Sequence, residues 1–517
     1  MKRFSCIILL VLFVGHYVQA QEYEPVRLEL PTRLDVKSYG YELLGENGLM
    51  LFYESNELDE NNKRKWFFSK LDTNLTEQWV KLVALSEGML IHKILSTKER
   101  LIVLFIKNSG KKQEPIAYEI VSFHMLTEKF SLMGGDFPAQ SEINALAAQK
   151  DKLLVGINLA DNLADLLLFD LSKGSLKTLD VLAEGQYIIQ EIAVMQSDER
   201  FGVFVKRLEN KRVEADVFLF FDLNGGLINR FEVVDEQHRY LASVGFFSQQ
   251  GELGAIGTYE REKNKPTAIK NAQETIGREA AGMFFLQLEP NGQSNIKYHP
   301  FASLPNIDIA LASEDLMRLR QQQSRGKARL EETDIAFQFY KPQLISKDSL
   351  FIFSAEAFRP RYRVESRIDY DFYGRPIPYT YTIFEGYQFF NTLLVSFDRS
   401  GEVNWLNTFQ LRDLITYELD RHVFVSLLEN DVLAAAYHEG VLHSKLISLD
   451  GELIGEPVRT NLDMRFSNDR LLEENFGRLI YWYGNYFIVT ANQKISNSRL
   501  VGDNPRSVFF LQKIAFE

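Results

Sequence analysis

The stretch of this chain richest in groups able to do chemistry runs from 358 to 386, FRPRYRVESRIDYDFYGRPIPYTYTIFEG. Arg359, Arg361, Arg363 and Arg367 alternate there with Tyr362, Tyr370, Tyr373, Tyr379 and Tyr381. Both residue types combine wide contact area with directed polar groups, which is why they anchor interfaces. The competing reading is an outgoing hairpin whose arginines pair with Glu365, Asp369 and Asp371 and hold no ligand. Asp369 and Asp371 also alternate as two carboxylates acting on a sugar would, on one face of an extended segment. In YHEGVLH, His438 and His443 stand five residues apart. Within one continuous strand that spacing sends the imidazoles to opposite faces, so solvated or turn-bonded histidines are expected and a shared metal is not.

Other reaction signatures are missing from the sequence. It contains no G-x-S-x-G elbow, no G-x-x-x-x-G-K-[ST] phosphate loop and no calcium-type D-x-[DN]-x-[DN]-G run. The lone cysteine, Cys6, lies in MKRFSCIILLVLFVGHYVQA, where Lys2 and Arg3 precede a short apolar run and small residues flank Gln19. This is the pattern of an export signal cut after Ala20, and the run is short of the roughly 18 residues that span a bilayer. Residues 21–517 then lack thiols, so neither a disulfide nor a cysteine metal site is expected. With 70 acidic against 58 basic side chains, the formal charge is −12, and nucleic acid is an unfavourable partner. At 45% hydrophobic residues the chain is rich enough to fold on burial alone.

These residues must be carried by a frame, and the frame is repetitive. FLFFDLNGGLINRFEV (218–233) reads as two strands about an Asn-Gly-Gly turn. Aligned on Asp222, it has companions at Asp72, Asp170, Asp398 and Asp450, and the interval from Asp170 to Asp222 equals that from Asp398 to Asp450, 52 residues. Eleven positions after the aspartate stand Val83, Val181, Val233 and Phe409. Weaker copies occupy 121–132 and 283–296, and two further extended runs precede most copies, so each period is four strands long. Repeats of about 40 to 50 residues with four strands predict an all-β fold, a β-propeller over 21–517. Counting third strands gives eight blades, with seven as the alternative. The last third strand, SVFFLQKIAF, is expected to take its missing partner from PVRLELP (25–31), which removes an open sheet edge.

The spacing D-x-x-G-x-x-x-W-x-x-x-F at Asp398, Gly401, Trp405 and Phe409 resembles a repeat of secreted bacterial β-propellers, the quinoprotein-like group among them. SDERFGVF (197–204) is similar to a turn of TolB-like propellers. The resemblance implies a fold whose motif residues join blades, and none of the residues that would hold a quinone is present; no cofactor is expected.

In this register the turns from first to second and from third to fourth strand are short. The long connections, including 261–282, 302–332 and 358–386, all belong to the opposite face of the disc. SEDLMRLRQQQSRGKARLEE, within 302–332, predicts a short helix capped by Ser313 and seated by Leu316, Leu319 and Ala328. The expectation is an exported, non-catalytic protein holding a protein or polysaccharide partner on its loop-rich face, without spanning a membrane. The alternative is a hydrolase or lyase acting on a polysaccharide or cell-wall substrate, with acids from several blades meeting at the axis. The repeat aspartates are expected to bond local turn amides, and Trp79, Trp405 and Trp482 to pack between blades.

Overall fold

Aromatic and β-branched runs broken by Asp, Asn and Gly favour short strands over helices. In the computed structural model they form eight four-stranded antiparallel sheets. The structure describes residues 26–516 apart from 108–109, 112, 196–198, 236, 238, 250–251, 262–278, 290–293, 325–334, 348–349, 371 and 500–504. The expected export signal therefore lies outside the described residues. Blades 1 to 7 run consecutively over 40–85, 90–137, 142–179, 186–233, 239–300, 338–416 and 423–461. Blade 8 takes three strands from 469–515 and its outer strand from Arg27–Pro31, paired antiparallel with Arg506–Ala515. The count is eight, and the closure is the one the sequence predicts.

Each sheet is apolar on both faces and buries them against its neighbours. Eight main clusters result, each drawn from two adjacent blades; Leu154, Leu166, Val203 and Leu219 join blades 3 and 4. Leu49 and Leu51 of blade 1 meet Ile488 and Leu511 of blade 8, so the ring is shut by a core of its own. The outer strand of blade 8 brings buried charge with it. Arg27, its side chain 3% exposed, bonds Glu29 at 2.8 Å, Gln512 at 2.9 Å and Gln493 at 2.7 Å, and lies over the Phe510 ring. Arg506 ties Glu29 to Asp469.

The repeat aspartates do what their spacing predicts. Asp222 Oδ1 accepts the N–H groups of Asn224 and Gly226 at 2.7 and 2.8 Å, and Asp72 Oδ1 accepts those of Asn74 and Thr76. The turn then tucks under the neighbouring blade: a Cβ at Gly225, whose φ is +77°, would sit 2.6 Å from Leu179. Trp405 spans the next junction by donating to the Leu449 carbonyl, Trp79 reaches Glu128, and Trp482 reaches the Gly48 carbonyl. One alignment needs correcting. In blade 7 Ser448, not Asp450, holds the aspartate's place, its N–H bonding the Glu452 carbonyl and its Oγ accepting the Glu452 N–H.

Buried polar side chains make a second kind of junction, between a blade's middle strands and the next inner strand. Asn158 exchanges two bonds with the backbone of Ile189. Asp216 accepts the Leu241 N–H while Lys206 bonds both Asp216 and the Leu241 carbonyl. Glu356 accepts the N–H groups of His422 and Val423.

The helix occupies Ser313–Ser324. Its first bond runs from Leu316 N–H to the Ala312 carbonyl, so the helix is entered one residue earlier than Ser313 as cap implies. Ala328 lies outside the described residues.

Two stability measurements test these junctions. Arg27→Ala should lower unfolding free energy by about 3 kcal/mol, because it leaves buried acceptors unpaired; an unchanged denaturation midpoint would exclude the network from closure. Burial pushes the Glu356 carboxyl up to about 7 from 4.5, against the pull of its two backbone N–H partners. Folding therefore takes up a proton in that window. The contribution is full below about 4.5 and is lost as pH rises through about 7. Melts of wild type and Glu356→Gln should diverge between about pH 5 and 8, the glutamine variant gaining up to roughly 3 kcal/mol relative to wild type. Parallel pH profiles would show the group does not titrate there.

Candidate functional site

Most blade hairpins end where the disc ends, but that of blade 6 does not. Its second and third strands, Leu350–Tyr370 and Pro376–Phe397, stay paired out to Tyr370 and Pro376. The inner parts are core, with Phe351, Phe353, Leu393 and Val395 buried. Shifts in the ladder at Ala357/Phe358 and Arg361/Tyr362 mark where the pair leaves the sheet, as bulges bend a strand and increase its twist. Beyond them neither flanking strand follows: the first strand's pairing stops at Phe358 and the fourth's at Tyr387. The ten residues from Arg361 to Tyr370 give a two-stranded ribbon that reaches roughly 30 Å.

The sequence-predicted binding residues lie on this ribbon or at its root. Arg359 is at the root, bonding Gln388 at 3.3 Å. Tyr362, Tyr379, Tyr370 and Tyr373 are 57%, 57%, 69% and 78% exposed, and Phe372 at the tip is 97% exposed. Val364, Ile368 and Ile377 are bare too, so apolar groups face solvent on both sides of the ribbon. The charges are largely matched internally. Arg361 pairs with Glu385 at 2.9 Å, Arg363 with Glu365 at 2.8 Å and Arg367 with Asp369 at 2.8 Å, while Tyr381 donates to Glu365 at 2.6 Å. Such exposed pairs contribute little to stability. They neutralise the ribbon and leave the rings as its most available surface. Asp369, bound to Arg367 in the open, lacks the enclosure an acid catalyst needs, and Asp371 lies outside the described residues.

The histidine reading needs revision. The chain reverses at Glu439 and Gly440, both at positive φ, so His438 and His443 stand on adjacent strands. His443 is paired opposite Ala436, two residues before His438, and both imidazoles line one cavity of about 300 Å³. His422 lines it as well; burial pushes that imidazole down to about 4. A strand assumed continuous hid the tight turn that E-G supplies. Among the described residues, no three His, Cys, Asp or Glu side chains gather as a metal site would require.

The axis is open. A cavity of about 1390 Å³ is lined by the inner strands of blades 8, 1 and 2 and by the connection into blade 7. Its acids are mostly matched: Glu54 with Arg64, Glu418 with Lys37 and Asp420 with Arg478. Glu42 accepts a bond from Ser96.

No family model and no curated protein sequence matches the chain. Among solved structures it is similar to the β-propeller domain of the Trilobed protease from Pyrococcus furiosus, with 10% identity, 83% of this chain and 98% of that one covered, and a TM-score of 0.36. It is similar also to apo AztD from Citrobacter koseri, at 10% identity, 93% and 100% coverage and 0.38. A third is dihydro-heme d1 dehydrogenase NirN, at 12% identity, 84% and 78% coverage and 0.33. These neighbours are propeller proteins, and likeness at this level carries no argument about ligand or reaction. Among the described residues no helix is long and apolar enough to cross a membrane.

Because the ion pairs of the ribbon's described arginines run within the ribbon, its removal should leave the disc intact. Replacing 363–383 by an Asn-Gly turn should keep the melting temperature within about 2 °C of wild type, as surface changes do. A drop beyond about 5 °C in calorimetry would make the ribbon part of the folding unit.

Proposed function

We propose that the chain is an exported, non-catalytic binding protein that holds a macromolecular partner on its loop-rich face, with the 358–386 ribbon as principal contact. The observation that carries this reading is the exposure of aromatic and aliphatic side chains on both sides of a ribbon that projects beyond the core. Two-stranded ribbons are marginal in water by themselves, so this one is stable because blade 6 anchors its base. Rigid rings so presented lose little freedom on contact. The ribbon's unflanked edges add rows of N–H and C=O groups, which favours a protein partner able to add a strand over a polysaccharide. Export rests on the first twenty residues, with Ala20 as the cleavage position.

The test uses the mature chain and its ribbon-shortened form as baits against the exported fraction of the source cells. The full chain should retain a partner that the shortened chain loses, and protease treatment of the fraction should abolish capture. The same partner on both baits would remove the ribbon from the interface. Capture that survives protease but not glycosidase would transfer the reading to a polysaccharide.

A further inference from the structure

The inner strands of blades 2, 4, 5, 6 and 8 each carry a ladder irregularity, and the charges of the axis sit beside them. The shifts fall between Ile91 and Lys93, Ile189 and Glu191, Leu241 and Ser243, Tyr340 and Gln343, and Asn475 and Arg478. A bulge re-aims side chains and ends regular pairing, which is why bulges gather beside functional sites. Here Lys93 and Arg478 line the large axial cavity, while Glu191, Lys341 and Arg421 line one of about 390 Å³ between blades 4, 5 and 6. The smaller volume is within the range of small-molecule sites, and the larger exceeds it.

The partners of these groups are uneven. Arg478 is held by Asp420. His92, beside Lys93, is engaged with the Ile143 carbonyl at 2.6 Å. Arg421 donates to the Lys341 carbonyl at 2.9 Å and reaches Gln343; its backbone N–H bonds Asp420, but no carboxylate is bonded to its guanidinium among the described residues. The exposed ammonium groups of Lys93 and Lys341 have no hydrogen-bond or ion-pair partner among the described residues, and neither does the half-buried Glu191 carboxylate. Burial lowers the Lys93 ammonium, the charges of Lys341 and Arg421 lower it further, and Glu191 and Glu42 oppose them. Burial raises the Glu191 carboxyl, which Lys341, Lys93 and Arg421 all oppose. Glu191 thus faces Lys93 of blade 2, Lys341 of blade 6 and Arg421 of the connection into blade 7, with Glu42 a second acid beside Lys93, inside a chain whose formal charge is −12. Cations so concentrated within an acidic protein focus anions into the two cavities they line.

We infer that the axis binds a small organic polyanion bearing carboxylate or phosphate groups, with Lys93, Lys341 and Arg421 as its ligands and Glu191 limiting the charge it accepts. The guanidinium gives a planar two-point contact and the ammonium groups supply point charges. This site stands apart from the ribbon and does not depend on the partner reading.

Calorimetric titration of the mature protein with citrate, fructose 1,6-bisphosphate and glucose tests it. One of the two anions should bind with one-to-one stoichiometry and weaken with salt, which also tells carboxylate from phosphate; glucose should not bind. Lys93→Ala and Lys341→Ala should each weaken binding by about tenfold or more, and Glu191→Gln should tighten it. Failure of both anions to bind overturns the site, as does undiminished binding by the lysine variants. A readout free of variants is acetylation of the native protein: the anion should protect Lys93 and Lys341 but not exposed Lys347. Equal labelling of all three with and without anion overturns the assignment.

Discussion

Everything in this molecule depends on sheets that are apolar on both faces. A four-stranded blade cannot face water on either side, so it must be flanked twice, and a row of such blades is stable only as a ring. The clusters meet this demand interface by interface, down to the one joining Leu49 and Leu51 to Ile488 and Leu511. No central core holds the disc together, which is why the axis is free to be open and charged. Function has two places to act, the interior of the ring and whatever the strands extend beyond it.

Apolar packing tolerates sliding, and the polar junctions remove that freedom. Asn158, Asp216 and Glu356 each fix the backbone of the following inner strand at a specific residue. A buried polar group satisfied by one backbone position specifies register more sharply than methyl contacts can, since a slip leaves it unpaired. The bulges of the inner strands lie close to these anchors: Asn158 bonds Ile189, and Asp216 bonds Leu241, each at the edge of a shift. The devices that set blade spacing also set the height at which Glu191, two residues after Ile189, and Arg421, next to His422, meet the axis.

Much of the frame was legible because it is local. Asp72, Asp222 and Asp398 bond amides two and four residues on, so their chemistry repeats in the text of the chain. Closure was legible because a lone third strand lacks a partner. The register at blade 7 was missed because Ser448 can replace aspartate in a turn, and the nearby Asp450 drew the alignment two residues away. The histidines were misread for a similar reason, a two-residue reversal at Glu439 and Gly440 inside an apparently continuous run. The axial charges were invisible in principle. Lys93, Glu191, Lys341 and Arg421 are scattered over more than 300 residues and converge only through the ring. The arginine and tyrosine cluster was found because it is contiguous, and the structure adds that its arginines are mostly occupied by the acids of the same ribbon.

Blade 8 also fixes an order of events. Among the described strands Arg27–Pro31 is made first and its partner Arg506–Ala515 last, with Arg27 set opposite Gln512. Until those final residues arrive, the opening strand has nowhere to settle and blade 1 keeps one bare face. So wide a separation slows pairing, since loop closure precedes any reward from contact. The nascent ring is therefore an open arc with sticky ends, and only the strand Arg506–Ala515 closes it.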